Sequence, residues 1–217
     1  NNTLFELCAL NYLQTSQQND FSIIKGLFIG TLNSNIICKY CKTISPSFES
    51  FITLPLSIPT KKDITLYDCL NLLIKDEILD KDNMVNCEIC GRKNKSTKKF
   101  LFWKTPKILV IQLKRFIFNN YGICTSKNIN NIDYPIDNLN LNNYFHPDSP
   151  YKDNSLYELI GINCHIELGS INVGHYISIV KNRYNNKWLL FNDSKDPVQV
   201  DKLQYHNAYL LFYYKKD

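Results

Sequence analysis

Two Cys-x-x-Cys pairs, Cys38/Cys41 and Cys87/Cys90, constrain this chain more than any other feature. Two residues between cysteines let both thiolates of a pair turn toward one ion, and two such knuckles complete a tetrahedral four-cysteine zinc site. The first knuckle reads Cys38-Lys39-Tyr40-Cys41-Lys42 and the second Cys87-Glu88-Ile89-Cys90-Gly91-Arg92. Gly91 suits the tight turn that aims backbone N–H groups at sulfur, and the basic neighbours offset thiolate charge. A site closed by four protein ligands is structural, not catalytic. The pairs are separated by 45 residues, beyond the roughly 15–20 of a compact zinc module. The ribbon is therefore expected as an insertion tip whose halves come from distant stretches of chain. A pair of disulfides or buried thiols is the alternative reading.

The chain has 217 residues, enough for one large domain or two small ones, and its 44% hydrophobic content supplies ample core. No stretch approaches the roughly 18 apolar residues of a membrane span, and no signal peptide opens the chain. An intracellular protein, cytoplasmic or nuclear, is the expectation. Cys8, Cys69, Cys124 and Cys164 lack framework spacing, which suits a reducing compartment. The net charge of +5 includes a local run at Arg92, Lys93, Lys95, Lys98 and Lys99. That run reads as a solvated hairpin beside the second knuckle rather than a nucleic-acid patch.

Along the chain, Leu4 to Leu13 reads as the remnant of a helix and Gln14 to Asp20 as a polar linker. Strands are expected at Leu27–Thr31, Ile36–Ile37 and Phe48–Leu56. Thr65 can cap a helix over Leu66–Leu73, with Leu66, Cys69, Leu70 and Leu73 on one face. Lys107 to Phe118 reads as the strongest strand, buried at Ile108-Leu109-Val110-Ile111. An Asn-rich stretch from Asn119 to Asp153 reads as loops and short edge strands. Strand signals return at Leu156–Ile162, His175–Lys181, Lys187–Phe191 and Ala208–Tyr214. The pattern is α+β with much antiparallel sheet.

A second group of residues carries chemistry. Gly174-His175-Tyr176 opens one strand and Phe191-Asn192-Asp193-Ser194 ends another, with a polar turn at Asn182 to Asn186 between them. A hairpin so formed brings His175 near Asn192 and Asp193. An amide or carboxylate oxygen that accepts from one imidazole nitrogen fixes the tautomer, and the other nitrogen can then take a proton from a nucleophile. Taken alone, a histidine at a strand start and an Asn-Asp-Ser turn are ordinary features.

Taken together, the segments resemble the ubiquitin-specific protease family of papain-like cysteine deubiquitinases. Leu27-Phe28-Ile29-Gly30-Thr31-Leu32 with the first knuckle resembles the entry to that family's fingers. Phe51-Ile52-Thr53-Leu54-Pro55-Leu56-Ser57-Ile58-Pro59 resembles the strand after it, and Leu66-Tyr67-Asp68-Cys69-Leu70 the helix before the second knuckle. Pro106-Lys107-Ile108-Leu109-Val110-Ile111-Gln112-Leu113-Lys114-Arg115-Phe116 resembles the family's most recognisable strand. Tyr157-Glu158-Leu159 through His165 to Gly174-His175-Tyr176 resembles its histidine box, and Ala208-Tyr209-Leu210-Leu211-Phe212-Tyr213 its closing strand. The resemblance implies a papain-like cysteine protease fold of the ubiquitin-specific protease type. That fold has a mainly antiparallel palm sheet and zinc-ribbon fingers. It implies His175 as general base, Asn192 as its orienter, Asp193 as a supporting polar residue, and a structural zinc on Cys38, Cys41, Cys87 and Cys90. Ubiquitin and ubiquitinated proteins would be the partners, with an activating partner protein as in several members.

One departure stands out. The family's nucleophilic cysteine sits in an N-terminal Gly-Asn-Thr-Cys-Tyr type of box, and no such string occurs here. Cys8 lies ahead of the fingers but lacks the Gly/Asn turn that would build an oxyanion hole. Residues 1–20 are read as the remnant of a later thumb helix, about 27–115 as fingers with adjoining palm strands, and about 116–217 as palm. Glu6 would align with a glutamate that reaches the arginines of the ubiquitin tail. The chain is thus expected to begin inside a protease domain, with the N-terminal thumb part missing and the nucleophile upstream. A catalytically inactive ubiquitin-binding scaffold of the same fold is the alternative. A basic zinc-ribbon protein that binds nucleic acid ranks below both, because it leaves the C-terminal hairpin unexplained.

Overall fold

The computed structural model describes residues 3–17, 22–152, 155–170 and 173–216. Parts of the expected thumb remnant and linker, at residues 1–2 and 18–20, lie outside the described residues, as does Asp153 at the end of the Asn-rich stretch. The chain is mixed helix and sheet and divides into two compact units.

The first unit comprises Asn1–Ile52, Leu73–Pro106 and Leu141–Ser155. Helix Leu4–Gln17 opens it and takes in the first residues, 14–17, of the segment expected as linker. A reciprocal capping box explains its start: the Thr3 N–H donates to Glu6 Oε2 at 2.7 Å, and the Glu6 N–H donates to Thr3 Oγ1 at 3.2 Å. Residues Ile23–Phe28 form a second short helix, and its N-cap Ser22 accepts from the Ile24 N–H at 3.2 Å. Leu27 and Phe28 were expected in a strand. The Ser22 cap wins them for the helix, and the strand starts at Gly30 instead.

An antiparallel four-stranded sheet follows, in the order Ile44–Phe51, Gly30–Cys38, Ser96–Lys104, Glu77–Leu79. Gly30 faces Phe51 across the first pair, and a Cβ there would collide with the Phe51 ring. Phe48 meets the buried Trp103 edge-on at 5.1 Å, and Phe102 lies 5.9 Å from Phe145, so aromatic side chains dominate this core. The two knuckles hang from strand ends: the Gly30–Cys38 strand runs directly into the first, and the two-stranded pair Val85–Asn86 and Lys93–Asn94 brackets the second.

The second unit comprises Thr53–Leu72, Lys107–Asn140 and Leu156–Asp217. Its main sheet has the order Val198–Val200, Trp188–Phe191, Val173–Lys181, Leu156–Ser170, Ala208–Lys215, Ile108–Leu113, Thr53–Leu56. Short strand Leu139–Asn140 pairs beside Leu156 and Tyr157. Neighbours on this path pair antiparallel except Thr53–Leu56 with Ile108–Leu113, which is parallel. Leu54, Leu109, Ile111, Leu159, Leu211 and Tyr213 are buried within it.

The expected continuous strand Lys107 to Phe118 breaks after Leu113 and resumes at Phe116. Arg115 is the cause. Its fully buried guanidinium turns inward and donates from Nε to the Ala208 carbonyl at 2.5 Å, and from Nη1 to the Asn128 and Asn130 carbonyls at 3.0 and 2.9 Å. Three charge-assisted hydrogen bonds hold the break.

Helix Leu66–Leu73 forms where the sequence places it and buries Leu66, Cys69 and Leu70. Its start is also a reciprocal box: Asp68 Oδ2 accepts from the Thr65 N–H at 2.8 Å, and the Asp68 N–H donates to Thr65 Oγ1 at 3.2 Å. Lys61 adds an ion pair at 2.7 Å. Hydrogen bonding from Lys61, then from Thr65, holds the Asp68 carboxyl down to about 2. A depressed carboxyl contributes stability above its ordinary pKa of about 4, and that contribution is lost as pH falls through the folded value. Asp68→Asn is therefore expected to cost about 1 kcal/mol near neutrality and to flatten the stability profile at the acid end, measured by urea unfolding across pH.

Candidate functional site

The second unit holds the histidine constellation. His175 lies in the Val173–Lys181 strand, which pairs with Trp188–Phe191 in the register Ser178↔Phe191. Beyond Phe191 the chain turns sharply: the Lys195 N–H donates to the Asn192 carbonyl at 3.1 Å, and Asp193 adopts a positive φ of 52°. Asp tolerates this left-handed conformation better than most residues. The turn folds Asn192 back along the neighbouring strand, and its Oδ1 lies 2.6 Å from His175 Nε2.

An amide oxygen only accepts, so Nε2 is the donor in this bond and Nδ1 is the nitrogen left facing away from it. Asp193 Oδ2 lies 3.8 Å from Nδ1, beyond hydrogen-bond length, with most of its side chain in solvent. It can act on a protonated imidazole through its charge alone. The His175 side chain is 27% exposed, so a reacting group can reach it. The sequence thus brings together His175, Asn192 and Asp193 as expected, with a direct bond only to Asn192. In the neutral form of the ring this hydrogen bond fixes the tautomer and leaves Nδ1 as the acceptor, the arrangement that general-base chemistry requires.

Of the cysteines outside the knuckles, Cys69 and Cys164 are buried and Cys8 and Cys124 only partly so. Burial pushes the Cys69 thiol up to about 11 and the Cys164 thiol up to about 12. Cys69 is packed on its helix, and Cys164 sits in the Leu156–Ser170 strand opposite Ile177. Both are inert core residues, because the thiolate is the reactive form. Glu6, aligned at the sequence level with a tail-binding glutamate, spends its carboxylate on its own helix cap. The Thr-x-x-Glu spacing is the signal for that role.

The first unit holds the cysteine cluster. Sγ atoms of Cys38, Cys41, Cys87 and Cys90 all lie within 4.8 Å of one another. Cys38 and Cys90 are 3.9 Å apart at sulfur, and Cys41 and Cys87 are 3.6 Å apart. A tetrahedron of sulfurs about 2.3 Å from a central ion has edges of about 3.8 Å, so the four donors can hold a metal ion. The Cys41 backbone N–H approaches Cys38 Sγ at 3.5 Å and lowers that thiol to about 6. The Thr43 hydroxyl, 3.2 Å from Cys41 Sγ, lowers the Cys41 thiol. Gly91 takes the positive φ of 66° that the second knuckle requires, and its N–H donates to the Cys87 carbonyl at 2.8 Å. Arg92 stacks over the Tyr40 ring at 4.0 Å and clasps the two knuckles independently of any ion.

Among the described residues, no helix is long and apolar enough to cross a membrane.

Known proteins agree with this architecture. The family model described as ubiquitin carboxyl-terminal hydrolase matches residues 2–213. Ubiquitin carboxyl-terminal hydrolase 2 from Gallus gallus is 35% identical over 200 residues, which cover 91% of this chain and 54% of that protein. Ubiquitin carboxyl-terminal hydrolase Usp2 from Drosophila melanogaster is 34% identical, covering 90% of this chain and 20% of that protein. The chain thus spans about half, or less, of the relatives it matches. Among solved structures, the SAGA Ubp8/Sgf11/Sus1/Sgf73 DUB module bound to ubiquitin aldehyde aligns with a TM-score of 0.76 and 32% identity. That alignment covers 97% of this chain and 47% of the other. A yeast SAGA DUB module with a mutant Sgf73 aligns with a TM-score of 0.77. With the α+β fold, the four-cysteine ribbon and the histidine box on one chain, the conclusion is that the protein belongs to the ubiquitin carboxyl-terminal hydrolase family and has the ubiquitin-specific protease type of domain.

Proposed function

We propose that the chain is part of a thiol-dependent deubiquitinase that hydrolyses the bond after the C-terminal glycine of ubiquitin. His175 is its general base, Asn192 the orienter of that base and Asp193 a supporting charge. The observation that carries this reading is the 2.6 Å contact between His175 Nε2 and Asn192 Oδ1, because it leaves Nδ1 free to accept a proton. The nucleophilic cysteine is assigned upstream of Asn1. Burial removes Cys69 and Cys164 as candidates within the chain. The partly exposed Cys8 lacks the Gly/Asn turn of the family's cysteine box, and the partly exposed Cys124 lies on the Cys124–Lys127 strand outside any such box. Residues 1–20 are assigned to a thumb helix, about 27–115 to fingers with palm strands, and about 116–217 to the palm.

In this mechanism His175 Nδ1 takes the thiol proton as sulfur attacks the terminal glycine carbonyl. The C–N bond to the substrate lysine breaks, and the imidazolium gives its proton to the departing amine. His175 then activates a water that hydrolyses the thioester and restores the thiol. Asn192 keeps the ring in one tautomer throughout, and the Asp193 carboxylate stabilises the transient imidazolium.

We assign zinc to Cys38, Cys41, Cys87 and Cys90. When bound, the ion supplies a structural crosslink and takes no part in the reaction. The partners are ubiquitin, ubiquitinated proteins and an activating protein, the last by analogy with the multi-subunit module to which Ubp8 belongs. An intracellular site of action, cytoplasmic or nuclear, goes with this function. The reading is tested by release of a fluorophore from the C-terminus of ubiquitin by the full-length protein, with no release expected from free fluorogenic glycine amides. Asn192→Ala in the same protein should lower kcat by about 10- to 100-fold, with Asn192→Asp recovering part of the loss.

A further inference from the structure

We propose that Lys127 is a positioning residue for His175, acting through His165 and Gly174; the proposal rests on the deubiquitinase reading of the same histidine. Lys127 lies in the Cys124–Lys127 strand, and its side chain is only 5% exposed. A cation so buried has to be matched by acceptors. Its Nζ lies 2.8 Å from the His165 carbonyl oxygen and 3.0 Å from His165 Nδ1. Glu167 Oε1 is farther away, at 3.6 Å. An ammonium has donors and no acceptor, so His165 Nδ1 accepts and the ring proton resides on Nε2. Burial, reinforced by the charge of Lys127, keeps this imidazole below its ordinary pKa and therefore neutral near pH 7.

The His165 ring is held on its other sides as well. Phe116 meets it edge-on at 5.1 Å, Tyr176 packs at 4.9 Å, and the His165 backbone N–H donates to the Asn207 carbonyl at 3.2 Å. The Nε2 edge of the ring then lies against Gly174. A Cβ at Gly174 would fall well inside van der Waals contact with His165 Nε2 and would meet Cε1 at 2.5 Å. A rigid ring pinned by a lysine cannot swing aside as a flexible chain end would.

The absence of a side chain at Gly174 lets the ring buttress the backbone one residue before His175. Register adds to the linkage. Glu167 pairs with Gly174 and Ile166 with His175, so the strand that presents both Lys127 partners is the strand against which His175 is aligned. Lys127 fixes the ring, the ring fixes Gly174, and Gly174 fixes the point from which the His175 side chain projects.

The test uses the full-length protein with 15N-labelled histidine and compares wild type with Lys127→Met, which keeps the aliphatic stem and removes the donor. The wild type is expected to show His165 as the Nε2–H tautomer. In the variant the His165 tautomers should interchange and the His175 ring resonances should shift and broaden. Turnover of a ubiquitin C-terminal amide should fall about 10- to 100-fold in kcat, with KM within about twofold of wild type. Gly174→Ala probes the same linkage from the other side and is expected to move the His175 resonances in the same way, so a poorly folded Lys127→Met does not leave the matter open. His175 resonances unchanged in both variants, or a loss confined to KM, would overturn the proposal. If the wild type has no activity, the deubiquitinase reading fails by itself, and the His175 resonances still decide whether Lys127 positions that residue.

Discussion

Replacing His175 with alanine in the full-length protein is expected to lower ubiquitin-amide hydrolysis by about 10²- to 10⁴-fold while leaving ubiquitin affinity nearly unchanged. The asymmetry follows from what the side chain does. His175 is a partly exposed imidazole whose shortest polar contact among the described residues is internal, to Asn192, and whose Nδ1 makes no hydrogen bond to its other neighbour, Asp193. It is arranged to move a proton, and a proton transferred in the transition state contributes to kcat rather than to ground-state binding. Alanine also removes no core contact of the kind made by Leu159 or Ile179, both fully buried in the same sheet. The loss should therefore appear without a fall in thermal stability. Isothermal titration with ubiquitin and turnover at saturating substrate separate the two quantities. Equal turnover in wild type and variant would remove His175 from the mechanism.

The second large effect concerns the cysteine cluster. The full-length protein is expected to contain one zinc bound at Cys38, Cys41, Cys87 and Cys90, lost on Cys87→Ser. Apparent binding free energies of about 10–16 kcal/mol for structural zinc in small zinc modules set the scale. Only part of that reaches the first unit as stability, because its aromatic core forms around Phe48, Phe102 and Trp103 rather than around the metal. Loss of the ion is expected to unravel the ribbon first. Val85–Asn86 pairs with Lys93–Asn94 through two residue pairs, a short ladder that cannot stand alone. The remaining clasp, Arg92 over Tyr40, contributes about 0.5–1 kcal/mol at an exposed position, too little to replace four metal–sulfur bonds. Elemental analysis gives the metal content, and hydrogen exchange across residues 85–95 gives the unravelling. A metal-free chain with the same protection pattern would refute the assignment.

Much of this architecture could be read directly from the residues, and the exceptions have physical causes. Helix Leu66–Leu73 was legible because a capping residue, Thr65, precedes apolar positions at helical spacing. The His175 hairpin was legible because its polar turn and two flanking strands are all local in sequence. Residues 27 and 28 misled because a short apolar run fits a strand or a helix equally, and only the Ser22 cap decides between them. The break at Arg115 is hidden for a different reason: its three acceptors, at Ala208, Asn128 and Asn130, come from separate stretches that only the folded chain brings together. Likewise the Leu156–Ser170 strand outruns its apolar signal, because Val173–Lys181 supplies backbone partners as far as Glu167 and again at Ser170. The cysteine spacing predicted that the four thiols cluster, whereas the Thr43 hydroxyl beside Cys41 Sγ carried no sequence signal. Lys127 and His165 lie 38 residues apart, and nothing in either neighbourhood announces the pair.

The central claim is that His175 and Asn192 serve a cysteine supplied from upstream. Ubiquitin bearing an electrophilic C-terminus, reacted in parallel with the full-length protein and with residues 1–217, tests it most directly, with adducts counted by intact mass. The account predicts one adduct on the full-length protein, lost on His175→Ala, and none on residues 1–217. An adduct on the 217-residue chain itself, or none on either protein despite retained ubiquitin binding, would contradict it; the second result would identify an inactive ubiquitin-binding scaffold.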